Sequence, residues 1–302
     1  MLHVNLLGTG GTYPLKDRML SSAIVQFNGQ SILFDCGEGT QISLKRQQIS
    51  ANRIGTICFT HFHADHISGL PGLLLTMGIE MREKPVTIIG PVGITDIVRS
   101  LCVIAPNLPY ELRFIELTQE KEEVLIDGIR LRAFRVDHTV DCYGYTAEID
   151  RMGKFSAQKA RENNVPMKVW KILQQNESTE YEGVVYTRDM AFEAARRGIK
   201  ILYCTDTRPT DVIREMGQNA DLMILEGMFA EEKKLPRALE THHMMYSEAA
   251  TLAKEAGADE LWLTHYSPSM KNPEQFLSMA TNIFENTICG TDTMEKELNF
   301  CD

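Results

Sequence analysis

The sequence predicts an α/β protein in which two mixed β-sheets pack face to face beneath covering helices, an αββα sandwich. Two observations point there. Strand-like apolar runs dominate the first two thirds while helical runs are interspersed throughout. Several strand-like runs also end in histidine or aspartate, at the carboxyl ends of strands, where α/β folds place their chemistry.

In chain order, strand-like runs fall at 2–7, 23–27, 30–34, 56–60, 86–89, 112–116, 124–126, 129–136 and 143–149. Others follow at 184–187, 200–204, 222–225 and 261–264. Asn28-Gly29 and Asp127-Gly128 are hairpin turns, because both central positions of such turns need a positive φ. Helical runs are expected near 38–49, 67–80, 94–104, 210–217, 246–256 and 273–285. No internal repeat or low-complexity linker interrupts the pattern, so residues 1–302 are expected to form one domain. The largest shift in composition is a polar, basic segment at about 151–182, which reads as an inserted arm.

Composition narrows the class. A chain of 302 residues with 43% hydrophobic and 24% charged side chains can bury a substantial core. No run approaches 18 apolar residues, so no membrane span and no membrane partner are expected. The opening residues Met1–Gly8 lack a basic head and a cleavage site, so no signal peptide is expected. Seven cysteines form no close pair and lie mostly in apolar context, which fits reduced thiols and a cytoplasmic location. A net charge of −10 argues against indiscriminate nucleic-acid binding. One local exception stands out: Arg151, Lys154, Lys159, Arg161, Lys168 and Lys171 are opposed within 151–175 only by Glu162. Five of them (Lys154, Lys159, Arg161, Lys168 and Lys171) are candidate substrate contacts.

The most informative segment is His61-Phe62-His63-Ala64-Asp65-His66, which directly follows the strand-like run Gly55–Thr60. A single His-x-His pair is commonly an inert surface feature. Asp65 and His66 at fixed spacing after a buried strand make this a metal site, since imidazole nitrogen and carboxylate oxygen are zinc's usual non-thiolate ligands. No Cys-x-x-Cys supports a thiolate site. Two ions need more ligands, and three further strand-like runs end in suitable types: His138 after Leu131–Asp137, Asp206 after Ile201–Cys204, and His265 after Leu261–Thr264. Asp206 alone of these three can bridge, because a carboxylate has two oxygens. Two ions about 3.5–4 Å apart would acidify a water and neutralise a phosphodiester oxygen, so the expected chemistry is hydrolysis. Gly8-Thr9-Gly10-Gly11 lacks the lysine of a phosphate-binding loop and reads as a tight turn, and Asp35 reads as a structural hydrogen-bonding residue.

With these residues the chain resembles the metallo-β-lactamase-fold hydrolases, and more narrowly the ribonuclease Z family, the 3′-processing endonucleases of transfer RNA. The narrow likeness rests on Leu7-Gly8-Thr9-Gly10-Gly11, Pro14, Arg18, Ser21-Ser22, Leu33–Gln41, Gly69–Leu74, Asp206-Thr207-Arg208-Pro209 and Leu263–Ser267. The resemblance implies that His61, His63 and His138 hold one ion and Asp65, His66 and His265 the other, with Asp206 between them. It implies two Zn2+ per subunit, with Mn2+ or another divalent ion as alternatives. Asp65 would act on the nucleophilic water. A histidine opening a late helix would assist the leaving group; His242 and His243 both stand there, and matching Glu248–Ala253 to the family helix selects His243. Glu226 matches the carboxylate that keeps this histidine protonated.

The resemblance also implies precursor transfer RNA as substrate, a 3′-hydroxyl on the transfer RNA product, and a homodimer. Three segments depart from the family pattern: Thr205 replaces a frequent glycine, Leu225-Glu226-Gly227-Met228 replaces His-Glu-Ala-Thr, and Val165–Trp170 stands where a Gly-Pro-rich stretch is usual. None removes a ligand. The competing expectation is a hydrolase of small phosphodiesters or other esters, favoured by the acidic charge and the altered arm.

Overall fold

The computed structural model describes residues 1–301. The chain forms two compact units, one of Met1–Glu148 with Lys200–Asn299 and a second of Ile149–Ile199 with the last residues from Phe300.

The first unit opens with strands β1 (Leu2–Gly8), β2 (Ser22–Phe27), β3 (Gln30–Phe34), β4 (Ile54–Cys58), β5 (Val86–Pro91) and β6 (Leu112–Leu117), which lie side by side in that order. The β1–β2 and β2–β3 pairs are antiparallel; from β3 to β6 the pairing is parallel. A second sheet begins with β7 (Lys121–Ile126), β8 (Ile129–Val136) and β9 (Cys142–Arg151). The chain then enters the second unit, where β10 (Ser178–Tyr181) and β11 (Val184–Thr187) make a separate hairpin. It returns through β12 (Arg196–Cys204), β13 (Leu222–Glu226), β14 (Leu261–Thr264) and β15 (Thr287–Cys289), which continue the second sheet in parallel pairs. Finally β16 (Glu295–Leu298) pairs antiparallel with β1, completing two seven-stranded sheets.

The inner faces meet through aromatic side chains: Phe34 of the first sheet lies 5.4 Å from Tyr203 and 5.7 Å from Tyr145 of the second, all fully buried. Helices cover the outer faces. Leu70, Leu73, Leu74 and Met77 of helix Leu70–Ile79 and Val98 of helix Ile94–Leu101 pack on the first sheet with Ile57 and Ile88. On the second sheet, Ala249, Ala250 and Ala253 of helix Tyr246–Ala256 lie against Met223, Leu225 and Leu263. That helix stops at Gly257, whose φ of 66° is left-handed backbone that glycine adopts at little cost. This is the αββα sandwich that the run pattern predicts.

Element boundaries differ from the expected ones where glycines or tertiary contacts intervene. The expected helix 67–80 is two helices, Ala64–Ile67 and Leu70–Ile79. The break sits at Gly69, where a Cβ would stand 2.2 Å from the Gly37 carbonyl oxygen, so the chain approaches there too closely for any other residue. The run 273–285 forms only short turns at Pro273–Phe276 and Ser278–Thr281. The basic segment holds two helices that were not expected, Ala157–Glu162 and Met167–Gln175, which bury Ala160, Val169 and Leu173 with Phe192 in a core of their own. No helix of the described residues is long and apolar enough to cross a membrane.

Candidate metal centre

Every expected ligand leaves a strand end of the first unit. His61 and His63 follow β4, Asp65 and His66 sit in the short helix Ala64–Ile67, and His138, Asp206 and His265 follow β8, β12 and β14. Asp206 and His265 have φ values of 37° and 54°. Left-handed backbone costs a non-glycine residue about 1 kcal/mol or more, and here it turns the chain sharply out of the sheet beside the site. Gly11 closes over the site so tightly that a Cβ would lie 2.7 Å from the His265 ring.

The ligand atoms fall into two groups. His61, His63, His138 and Asp206 converge in one, and Asp65, His66 and His265 in the other, each within 4.8 Å of one another. Asp206 divides its oxygens between them. Its Oδ2 lies 3.8 Å from His61 Nε2 and 3.9 Å from His138 Nε2, while its Oδ1 lies 3.1 Å from His66 Nε2 and 3.2 Å from His265 Nε2. Asp65 Oδ2 stands 3.3 Å from His265 Nε2 and accepts a hydrogen bond from the Thr12 amide at 2.5 Å.

These residues fit divalent cations. Ligands about 2.0–2.1 Å from a tetrahedral ion lie roughly 3.3–3.4 Å apart, close to the spacings here. His61 Nε2 is buried without a hydrogen-bond partner among the described residues, and such an atom is costly unless something binds it. Burial also lowers the pKa values of His61, His63 and His138 in spite of the Asp206 charge, which leaves neutral nitrogens ready to ligate. His66 differs. Burial pulls its pKa down, but the charges of Asp206 and Asp35 outweigh this and raise it well above the usual value. For Asp206 burial acts upward, and the surrounding histidines more than reverse it.

A second layer orients the ligands. Asp35, fully buried, accepts from the Thr60 amide at 2.8 Å, from Tyr203 Oη at 3.1 Å and from His66 Nδ1 at 2.8 Å, which aims His66 Nε2 at the site. Asp35 is thus the hydrogen-bonding residue that its sequence position suggests. The Thr60 hydroxyl lies 3.0 Å from His61 Nδ1, and His138 Nδ1 lies 3.2 Å from the carbonyl of His242.

His243 and Glu226 stand at the rim. Glu226, fully buried at the end of β13, accepts from the Thr207 amide at 2.6 Å through Oε1 and from His243 Nδ1 at 2.9 Å through Oε2. Burial lowers the His243 pKa, but the Glu226 charge and hydrogen bond prevail and raise it to about 9. His242 points elsewhere, to Asp137 at 2.9 Å. Sequence reasoning missed the clamp behind this loop. The Arg208 guanidinium donates to the His243 carbonyl and to both oxygens of Glu248, whose Oε2 also accepts from the Met245 amide at 2.9 Å. Both residues lie in quoted motif segments, but nothing local pairs positions 40 apart.

The basic residues belong to the second unit. Lys154, Arg161, Lys168 and Lys171 are exposed there. Lys159 is half-buried, and its ammonium donates to the Phe192 carbonyl at 2.7 Å. All seven cysteines are free. Cys142 Sγ lies 3.8 Å from His61 Nδ1, and burial pushes its thiol pKa well up, which keeps it neutral.

Residues 30–266 match the β-lactamase superfamily domain. The chain is 50% identical over 300 residues to ribonuclease Z of Agathobacter rectalis, covering 99% of each chain. It is likewise 50% identical over 302 residues to ribonuclease Z of Lachnospira eligens, covering 100% of this chain and 99% of the relative. Its structure is similar to human tRNase Z, short form, with a TM-score of 0.71 at 25% identity, covering 99% of this chain and 100% of that one.

Proposed function

The chain belongs to the ribonuclease Z family of the β-lactamase superfamily, and as an endoribonuclease of that family we propose that it removes the 3′ trailer from precursor transfer RNA by two-metal hydrolysis. The observation that carries the reading is the division of Asp206, one oxygen toward His61 and His138 and the other toward His66 and His265. His61, His63, Asp65, His66, His138, Asp206 and His265 would hold two Zn2+ ions, which would supply positive charge near the scissile phosphate and acidify water.

The chain's own residues do the rest. Asp65, fixed by the Thr12 amide, orients the attacking water and accepts its proton. His243 donates a proton from Nε2 to the departing 3′ oxygen while Nδ1 stays on Glu226. The transfer RNA fragment then ends in a 3′-hydroxyl and the trailer begins with a 5′-phosphate. Lys154, Arg161, Lys168 and Lys171, exposed on the second unit, contact the substrate's phosphate backbone. The enzyme works in the cytoplasm as a homodimer. Exposed Ile79, Met81, Val103 and Ile104, each more than 70% accessible in the single chain, supply apolar surface for such pairing.

The test is incubation of zinc-loaded protein with a precursor transfer RNA labelled at its 3′ end, beside His63→Ala. One endonucleolytic cut that the variant loses supports the reading. Intact precursor together with turnover of a small aryl diester would transfer the assignment to small-molecule hydrolysis.

A further inference from the structure

Three clefts adjoin along one side of the metal centre, all built from the first unit. One of about 540 Å³ lies over the ligands and reaches Arg237, Thr241 and His243. A second of about 340 Å³ shares those three residues and extends to Tyr13, Phe229 and Lys234. A third of about 240 Å³ shares Phe229 and Lys234 with the second. His243 therefore lines the boundary between the metal centre and the second cleft.

This boundary fixes which part of a substrate lies beyond it. Resting on the function proposed above, in which His243 protonates the departing 3′ oxygen, the ribose carrying that oxygen lies on the His243 side of the phosphate. We propose that the second cleft seats the nucleotide immediately 5′ of the cut, its base against the ring of Phe229 and its own 5′-phosphate at Lys234.

Both contacts have the right chemistry. Phe229 is half-buried and its ring stands edge-on to His243 at a centroid distance of 6.3 Å, so a base on Phe229 brings its ribose beside His243. Arg237 is paired with Glu240 at 2.7 Å and Lys233 with Glu231 at 2.6 Å, whereas Lys234 has no carboxylate partner among the described residues and lines both outer clefts. Ser267 and Ser269 line the same cleft with their hydroxyls hydrogen-bonded to each other at 2.8 Å, and their remaining hydrogen-bonding capacity suits any base edge. An aromatic platform beside a lone cation is how proteins hold single-stranded nucleotides without reading their sequence.

The experiment pairs substitutions with base removal in zinc-loaded, full-length enzyme. Precursors carry an abasic ribose either just 5′ or just 3′ of the cut, and kcat/KM is measured for wild type, Phe229→Ala and Phe229→Tyr. Loss of the 5′ base should cost wild type and Phe229→Tyr about tenfold, and cost Phe229→Ala almost nothing, because the partner is already gone. Lys234→Ala should raise KM and reduce the slope of log(kcat/KM) against log salt by about 0.7. Phe229→Ala that slows all precursors equally, with the penalty for a missing 5′ base intact, overturns the subsite and leaves the ring as a prop for His243. Loss of coupling to the 3′ base instead overturns it in favour of the trailer. A wild-type enzyme that cuts no precursor rejects the underlying function, an outcome distinct from either.

Discussion

Glu226 holds His243 by its Nδ1 at 2.9 Å while its other oxygen takes the Thr207 amide, so one buried carboxylate ties the rim histidine to the turn that carries Asp206. The Arg208–Glu248 clamp grips the same loop by its backbone. Ring and main chain are thereby fixed independently. Such fixing would keep the proposed proton donor at one position while substrates exchange.

The pH dependence follows from this pair. A general acid must be protonated, so processing falls as pH rises through the His243 pKa, which Glu226 raises. Bound cations pull that value back toward the usual range. Glu226→Gln removes the raising charge, so the alkaline limb of kcat should move to lower pH. His243→Ala should lower kcat about 10²–10⁴-fold and abolish the limb, with a smaller loss for diesters whose leaving group needs no proton. Rates measured from pH 6 to 10 check both.

Metal loading should depend on pH for a different reason. In the metal-free chain the Asp206 and Asp35 charges hold a proton on His66, which must leave before Nε2 can ligate. Zinc affinity therefore rises with pH below the His66 pKa, about tenfold per unit for one released proton. Competition titrations with a chromophoric chelator at pH 6, 7 and 8 give the slope; a flat response contradicts the assignment of His66.

Removal of the bridge should separate the two ions. Asp206→Asn is expected to lower the zinc content below two per chain and to abolish most of the thermal stabilisation by metal. For a site filled at 100 times its Kd that stabilisation is about 2.7 kcal/mol. Elemental analysis after gel filtration, with melting curves in zinc and in chelator, tests this.

Asp35 should matter for folding before chemistry. Asp35→Ala strands the buried Thr60 amide, the Tyr203 hydroxyl and His66 Nδ1 at once. Each unpaired group costs about 1–3 kcal/mol, so the expected loss is about 3 kcal/mol or more. Urea unfolding of the metal-free variant reads it directly; a loss under about 1 kcal/mol contradicts the role.

The second unit offers a test that leaves the metal centre alone. Lys168→Ala with Lys171→Ala should raise KM for precursor transfer RNA and weaken its salt dependence. Turnover of a small aryl diester should not change.

The clustering of the candidate site was legible in sequence because metal ligation would restrict residue type, and these histidines and aspartates sit beside strand ends that apolar runs reveal. His61 to His66 need no tertiary information beyond the strand before them. Arg208 and Glu248 were not legible as partners, since their pairing exists only once helix Tyr246–Ala256 has docked. The division of helix 64–79 at Gly69 depends on the distant Gly37 carbonyl. In the basic segment the charges masked a stripe of Val165, Val169 and Leu173 at helical spacing, which is what buries helix Met167–Gln175. Lys159 shows why composition overcounts substrate contacts: its ammonium is already occupied by a carbonyl.

The chemistry of the two ends that cleavage creates tests the proposed function most directly. Zinc-loaded protein is given a precursor transfer RNA, and the fragments are probed by polynucleotide kinase, ligase and mapping of the cut. The expected result is a single zinc-dependent cut, a 3′-hydroxyl on the transfer RNA and a 5′-phosphate on the trailer, lost in His63→Ala. A 3′-phosphate or 2′,3′-cyclic phosphate on the transfer RNA fragment, or cutting that persists in the variant, would contradict it.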